Sequence, residues 1–382
     1  MKTDTPDRVV NSVAPIRVCD NGGWSDTWFA GHGKVFSIAV SPYVEVQMKV
    51  YERAEGRPRF TIHAENYGEH YAFEEFAQNG APRAAFSLRS SSLCGGAGNP
   101  PPCAIEEPKG IYDKHPLIEA VLDYSAIPAH IAIEVTIFSE APPGCSTGTS
   151  AAVSVALLGA LDTLTAGRMT PYQVAMAAFH VETQLLKQQC GIQDQLAAAH
   201  GGINFIDMHE YPHASVSRIY VPAAVWWELE SRLVLIYVGS SHSSSEVHRM
   251  VIRKLEQSGG ESPEIDKLRR CAEQAKEALY AGDLEDLGCS MIRNTEAQAE
   301  LHGELVGAHH RKAIEIARAF GASGWKVNGA GGDGGSVAIL SQPDRARRRE
   351  MIRAILESDT RFRHIPALLA KDGLRVWEVT RR

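Results

Sequence analysis

The stretch Pro142–Ala152, PPGCSTGTSAA, decides how the rest of this 382-residue chain is read. Before it, Ile131–Phe138 (IAIEVTIF) is a short β-branched apolar run of the kind that forms a strand. After it, AAVSVALLGALDTLTAG consists of small and aliphatic residues that suit a buried helix. A strand, a Gly/Ser/Thr loop and a helix in that order leave the first backbone N–H groups of the helix without intrahelical acceptors. Those donors and the positive end of the helix dipole can seat a phosphate with no side-chain charge. Gly144 and Gly148 let the backbone approach closely, while Ser146, Thr147, Thr149 and Ser150 add hydroxyls that can donate hydrogen bonds or ligate magnesium. No Gly-Lys-Ser/Thr ends the loop, so it is not a Walker loop. Taken alone, the same residues also suit a helix cap and a tight connection.

Outward from this loop the chain alternates between strand and helix patterns. Val35–Val50 alternates apolar and polar residues as a half-buried strand does, which predicts an antiparallel sheet near the N-terminus. Pro171 opens a helical stretch, PYQVAMAAFHVETQLLKQ, that ends before Cys190-Gly191. Leu233–Val238 (LVLIYV) reads as a buried strand, and residues 261–281 and 304–321 as amphipathic helices. VNGAGGDGGSVAIL, residues 327–340, reads as a glycine-rich turn feeding a strand. The Gly/Ser/Pro-rich stretch Phe86–Pro108 is expected to be a long insertion, with a lid over the nucleotide or sugar as its functional reading.

Composition bounds the class. With 44% hydrophobic and 22% charged residues, the chain is an ordinary globular one, long enough for two domains of mixed α and β. A formal net charge of −7 does not indicate a nucleic-acid-binding surface. No run reaches the roughly 18 apolar residues of a membrane span, and MKTDTPDRVVNS lacks a signal-peptide core, so a cytoplasmic location is expected. Seven scattered cysteines do not suggest a disulfide framework, and Cys94 and Cys103 lack further zinc-ligand spacing.

PPGCSTGTSAA resembles the ATP-phosphate loop of the GHMP kinases, P-x-x-x-G-L-G-S/T-S-A, with Thr147 where that family has leucine. APIRVCDNGGWSDTWFAGHGKVFSIAV resembles the opening of the sugar-kinase branch, the fucokinase and heptose-phosphate kinase groups in particular. AFHVETQLLKQQCGIQDQLAAAHGGINFIDM resembles that branch's E-to-QDQ segment, and KVNGAGGDGGSVAIL the third GHMP motif, from which Asp333 and Gly335 depart. These segments occur in the family's order and span Ala14 to Leu340. The resemblance implies an α+β, two-domain fold. Residues 1–222 would form an N-terminal domain like ribosomal protein S5 domain 2, and residues 223–382 a ferredoxin-like domain, with the site between them.

The resemblance also implies roles. Asp194 would be the catalytic carboxylate, with Arg17 holding it ionised and meeting phosphate charge; a capping aspartate and an exposed strand arginine are the plain alternatives. Pro143, Gly144, Cys145, Ser146, Thr147, Gly148, Thr149, Ser150, Gly331 and Gly332 would bind ATP. Ser150 and Glu182 would share Mg²⁺, with a salt bridge from Glu182 to Arg17 or Lys187 as the alternative. Asp26 would accept sugar hydroxyls, with Gly22, Gly23, Trp24, His32, Gly191 and Gln193 around the substrate and Trp28 a further stacking candidate. Ser241, His242, Ser243 and Ser244 form a polar cluster that would hold a substrate or cap a helix. The expected activity is ATP-dependent phosphorylation of a sugar or sugar phosphate, heptose 7-phosphate first and fucose second. No nucleic-acid or membrane partner is expected, and a homodimer is allowed. Alternatives are another acceptor such as mevalonate, inositol or homoserine, a decarboxylase on the same fold, or a catalytically silent sugar and ATP sensor.

Overall fold

Strand β2 (Gly33–Glu52) is 20 residues long and serves as the spine of the larger sheet. Along one edge it pairs antiparallel with β1 (Arg8–Asn21). Along the other it changes partner midway: residues 33–38 pair with β6 (Ile203–Glu210), and residues 44–52 with β5 (Ile131–Ser139). Ser41 and Pro42 lie at the change, where the β1 register also shifts. A proline has no N–H to give a ladder, so this is where pairing can be interrupted at least cost. Strands β3 (Phe60–Ala64), β4 (Glu69–Phe73), β7 (His213–Arg218) and β12 (Arg375–Glu378) complete a sheet of order β12-β1-β2-β5-β3-β4, with β6 and β7 branching from β2.

These features come from a computed structural model, which describes residues 5–76, 112–239, 249, 251–256, 262–332 and 334–379. The Phe86–Pro108 stretch with its two cysteines, the Ser241–Ser244 cluster and Asp333 lie outside the described residues. Among the described residues no helix is long and apolar enough to cross a membrane.

Helices α1 (Pro116–Tyr124), α2 (Thr149–Asp162), α3 (Pro171–His180) and α4 (Gln193–His200) share one apolar core with the sheet. Helix α2 is buried nearly all round, as its run of alanine, valine and leucine predicts. The stretch beginning at Pro171 is not one continuous α-helix, because Val181–Leu185 forms a π-helical turn after α3. Such turns are rare and often mark functional sites.

Helix α5 (Ala223–Arg232) leads into the second sheet, β11 (Arg363–Ile365), β8 (Leu233–Gly239), β10 (Gly335–Leu340) and β9 (Gly324–Val327), in that order and antiparallel throughout. Helix α6 (Pro263–Ala281) fills the predicted 261–281 pattern, and α7 (Leu284–Leu301) follows it. Both contribute to a core that includes Ile16, Phe36 and Ile38 of the first sheet and Leu235 and Leu340 of the second. Helices α8 (Ala308–Ala319) and α9 (Arg345–Ser358) cover the opposite face of the second sheet. The tail then returns: β12 pairs with β1, and Leu374 lies where a side chain on Gly159 of α2 would be. A division at 222/223 therefore does not include residues 374–378, which pack with the first sheet and its helix.

Candidate active site

Helix α2 begins at Gly148, in the left-handed region at φ 70°, and no side chain caps it. The loop before it is fixed from two directions. Arg17 N–H donates to Thr147 O at 2.9 Å, Ser336 Oγ donates to Cys145 O at 2.7 Å, and Tyr237 Oη donates to Pro143 O at 3.4 Å. The glycine-rich turn lies directly on this loop: a Cβ on Gly335 would come 2.6 Å from Ser146 Oγ, and one on Gly329 2.8 Å from Ser146 O. Glycine at 335, a departure from the family pattern, is thus sterically required. Gly331 and Gly332 have a structural task in the turn. Gly332 N–H donates to Leu305 O at 3.0 Å and Gly331 leaves no room for a Cβ beside the same carbonyl, so they hold the turn against Leu305.

Arg17, from β1, is only 3% exposed, which rules out the exposed-strand alternative. Its Nε donates to Asp194 Oδ1 at 2.8 Å and an NH1 hydrogen to Ser146 O at 2.7 Å. Burial alone would lower its pKa, but the charges of Asp194, Asp20 and Asp26 and the hydrogen bond to Asp194 raise it further, so the guanidinium stays charged. Asp194 stands in the first turn of α4 with its side chain 29% exposed. A Cβ on Gly148 would be 3.2 Å from its Cγ. The carboxylate, the guanidinium and the open helix start therefore meet at one point.

Two charged residues here were not singled out from the sequence. Asp20 is fully buried, 3.9 Å from Arg17 NH2 and 3.4 Å from Nζ of the buried Lys326, and it accepts from Gly329 N–H at 3.0 Å. Lys326 also donates to Gln298 Oε1 at 3.1 Å and to Val327 O. Burial lowers its pKa, against the opposing pull of Asp20. The readable signal was a carboxylate inside an otherwise apolar strand, VCDN, and a lysine entering the glycine-rich turn.

Around Asp194 are two more buried carboxyls. Asp26 accepts from Gln193 N–H at 2.9 Å, and burial pushes its pKa up to about 6. Gly191 is obligatory there, because a Cβ would fall 2.1 Å from Asp26 Oδ2. Gly23 faces Asp20 and Gln193, whereas Gly22, at φ 91°, gives its N–H to Asn294 Oδ1 at 2.7 Å. Glu182, in the π-helical turn, is 4% exposed and accepts from Gln195 Nε2 at 3.0 Å. Burial, reinforced by the charge of Asp194, pushes it up to about 7. Its partner is thus a neutral amide rather than the Arg17 or Lys187 weighed from the sequence. Ser150 is exposed in the first turn of α2.

Trp24 and His32 are placed elsewhere. Trp24, 5% exposed, packs with Phe29, Ile265 and Leu268 in a separate apolar cluster, so its ring serves the core rather than a sugar face. Trp28 Nε1 donates to Glu256 Oε1 at 3.2 Å. His32 is exposed, and its backbone carbonyl accepts from Arg269 at 3.0 Å. Arg269 also donates to Ala30 O at 3.1 Å, so α6 clamps the segment whose beginning presents Asp26.

Residues 116–202 match the family described as "GHMP kinases N terminal domain". The mevalonate kinase of Thermococcus gammatolerans is 31% identical over 265 residues, 65% of this chain and 70% of that one. The D-glycero-alpha-D-manno-heptose 7-phosphate kinase of Campylobacter jejuni is 23% identical over 275 residues, 71% and 76% of the two chains. Among solved structures, a D-glycero-D-manno-heptose 1-phosphate kinase from Bacteroides thetaiotaomicron superposes with a TM-score of 0.67 at 20% identity, covering 97% of this chain and 100% of that one. With its α+β architecture, its glycine-rich loop before α2 and these relatives, the chain belongs to the GHMP kinase family of alcohol-phosphorylating enzymes.

Proposed function

We propose that this enzyme transfers the γ-phosphate of ATP to a sugar hydroxyl, with the anomeric hydroxyl of a heptose 7-phosphate as the first acceptor. The observation that carries this reading is the meeting of Asp194, Arg17 and the uncapped start of α2. Phosphoryl transfer needs an acceptor hydroxyl in line with a held phosphate and neutralised charge, and little covalent chemistry. In this reading Pro143–Ser150 cradles the nucleotide phosphates with backbone N–H groups. Asp194 accepts the hydroxyl proton, and Arg17 keeps Asp194 ionised while facing the charge that develops on the transferring group. Asp26, oriented by the Gln193 N–H, receives hydrogen bonds from sugar hydroxyls.

Ser150 and Glu182 would hold magnesium. The donor set suits it: hard oxygens, one of them a buried carboxylate whose hydrogen-bond partner Gln195 is neutral. When bound, the ion neutralises phosphate charge. Glu182 must then be ionised, against a burial that favours its protonated form.

Support for a sugar acceptor comes from Asp26, a buried carboxyl beside Asp194 that can accept hydrogen bonds from hydroxyls, and from the heptose 7-phosphate kinase among the relatives. A second reading, a non-sugar alcohol such as mevalonate, is supported by the mevalonate kinases among the relatives. ADP release with Mg-ATP across heptose 7-phosphate, fucose, galactose, arabinose, mevalonate and inositol tests the choice. Turnover confined to sugars supports the first reading. Turnover with mevalonate alone overturns it, and ATP binding with no turnover on any of these points to an acceptor outside the panel or to a sensor.

A further inference from the structure

Away from the candidate active site, the β3–β4 hairpin at the edge of the larger sheet carries a cluster that the proposed phosphoryl transfer does not use. His63 and His70 are directly opposed in the register, with their Nδ1 atoms 2.7 Å apart. Glu65, in the turn between the strands, places a carboxylate oxygen so that one ligand atom from each of the three residues lies within 4.8 Å of the others. On the other side of its ring, His63 Nε2 is 3.5 Å from Glu134 Oε1 on β5. Glu134 in turn accepts from Lys49 Nζ at 2.7 Å.

We propose that His63, Glu65 and His70 form a binding site for a divalent transition metal ion of the zinc type. A carboxylate facing Nε2 favours the tautomer with its proton on that atom, which turns the Nδ1 lone pair towards His70. A carboxylate behind a ligating imidazole is the usual outer support of a metal-bound histidine. Two nitrogens bound tetrahedrally at about 2.0–2.1 Å stand about 3.3 Å apart, so the rings need to open by only about 0.6 Å. Two imidazoles and one carboxylate suit zinc, cobalt, nickel or copper far better than magnesium, so the ion of the phosphoryl-transfer site is a poor competitor. All three ligands come from one hairpin, and Glu65 and His70 are exposed, leaving a position for water. The bound ion would clip β4, an edge strand held by β3 alone among the described strands, to its neighbour.

The test is a calorimetric titration of chelator-stripped full-length protein with ZnCl₂ in excess MgCl₂, repeated on H63N, H70N and E134Q. One equivalent is expected in the native protein, with a raised thermal midpoint. That equivalent should be lost in H63N and H70N and weakened about 10–100-fold in E134Q. Circular dichroism and the metal-free unfolding midpoint identify variants that remain folded. Absence of zinc binding in the native protein, or the same binding in a folded H70N, overturns the proposal.

Discussion

Helices α2 and α3 share one apolar core, yet they begin in opposite ways. α3 starts with a complete capping box: Thr170 Oγ1 accepts from Gln173 N–H at 3.3 Å, and Gln173 Oε1 accepts from Thr170 N–H at 2.8 Å. α2, more deeply buried, starts at Gly148 with no side-chain cap. A cap contributes about 1 kcal/mol, and here it is given up: Gly148 is in the left-handed region and a Cβ on it would crowd Asp194, so the capping side chain is excluded where the carboxylate stands. Leaving out the cap keeps N–H groups and the dipole available to a ligand, and Asp194 and Arg17 are at that end alone. In the proposed function, the difference separates a helix start built for stability from one built for an anion.

The largest way to break this comparison is Asp194→Asn. It should reduce kcat by about 10²–10⁴-fold while ATP affinity, measured by equilibrium titration, changes little, because the proposed phosphate seat consists of backbone N–H groups. Near-normal turnover removes Asp194 from its role. Next is Gly148→Ala, which places a methyl 3.2 Å from the Asp194 carboxyl carbon at a φ of 70°. Displacing a reacting group by a fraction of an ångström to an ångström can cost up to about 100-fold, so a fall in kcat of roughly 10–100-fold is expected from steady-state kinetics.

Glu182 gives a pH signature. Its folded pKa of about 7 lies above the ordinary carboxylate value near 4.5. The folded state therefore holds this proton more tightly than the unfolded chain, and metal-free stability should fall as pH rises from about 4.5 to 7. Each unit of that gap is worth about 1.4 kcal/mol, so urea unfolding at the two ends should differ by about 2–3 kcal/mol from this group. Glu182→Gln should remove that slope and leave the smaller one of the same sign from Asp26, whose pKa is about 6. Magnesium affinity should rise over the same window, since the ion requires the carboxylate. A slope unchanged in Glu182→Gln rejects the assignment. The smallest effect is Thr170→Ala, which should cost about 1 kcal/mol in denaturant unfolding with unchanged kcat and KM.

The same contrast explains what could be read before the fold was known. β2, β5 and α2 were legible because alternation and apolar runs are local signals, and Arg17, Asp26 and Asp194 were singled out because each sits in a compact motif. Asp20 and Lys326 were not, since their meaning is a contact between β1 and β9, which come from distant parts of the chain. The π-helical turn at Glu182 has no period of its own and hides within a good helical pattern. Trp24 was misread because a tryptophan beside a glycine pair looks the same whether its ring meets a ligand or a helix. Only α6, packed on it through Ile265 and Leu268, decides. Within the glycine-rich turn, the sequence does not tell Gly329 and Gly335, which touch the loop before α2, from Gly331, which packs on Leu305.

The most direct measurement is amide hydrogen exchange on peptides covering residues 142–152 and 170–180, with and without Mg-ATP. The account predicts that nucleotide slows exchange in the first peptide and leaves the second unchanged. Equal protection of both, or none in the first, would contradict it.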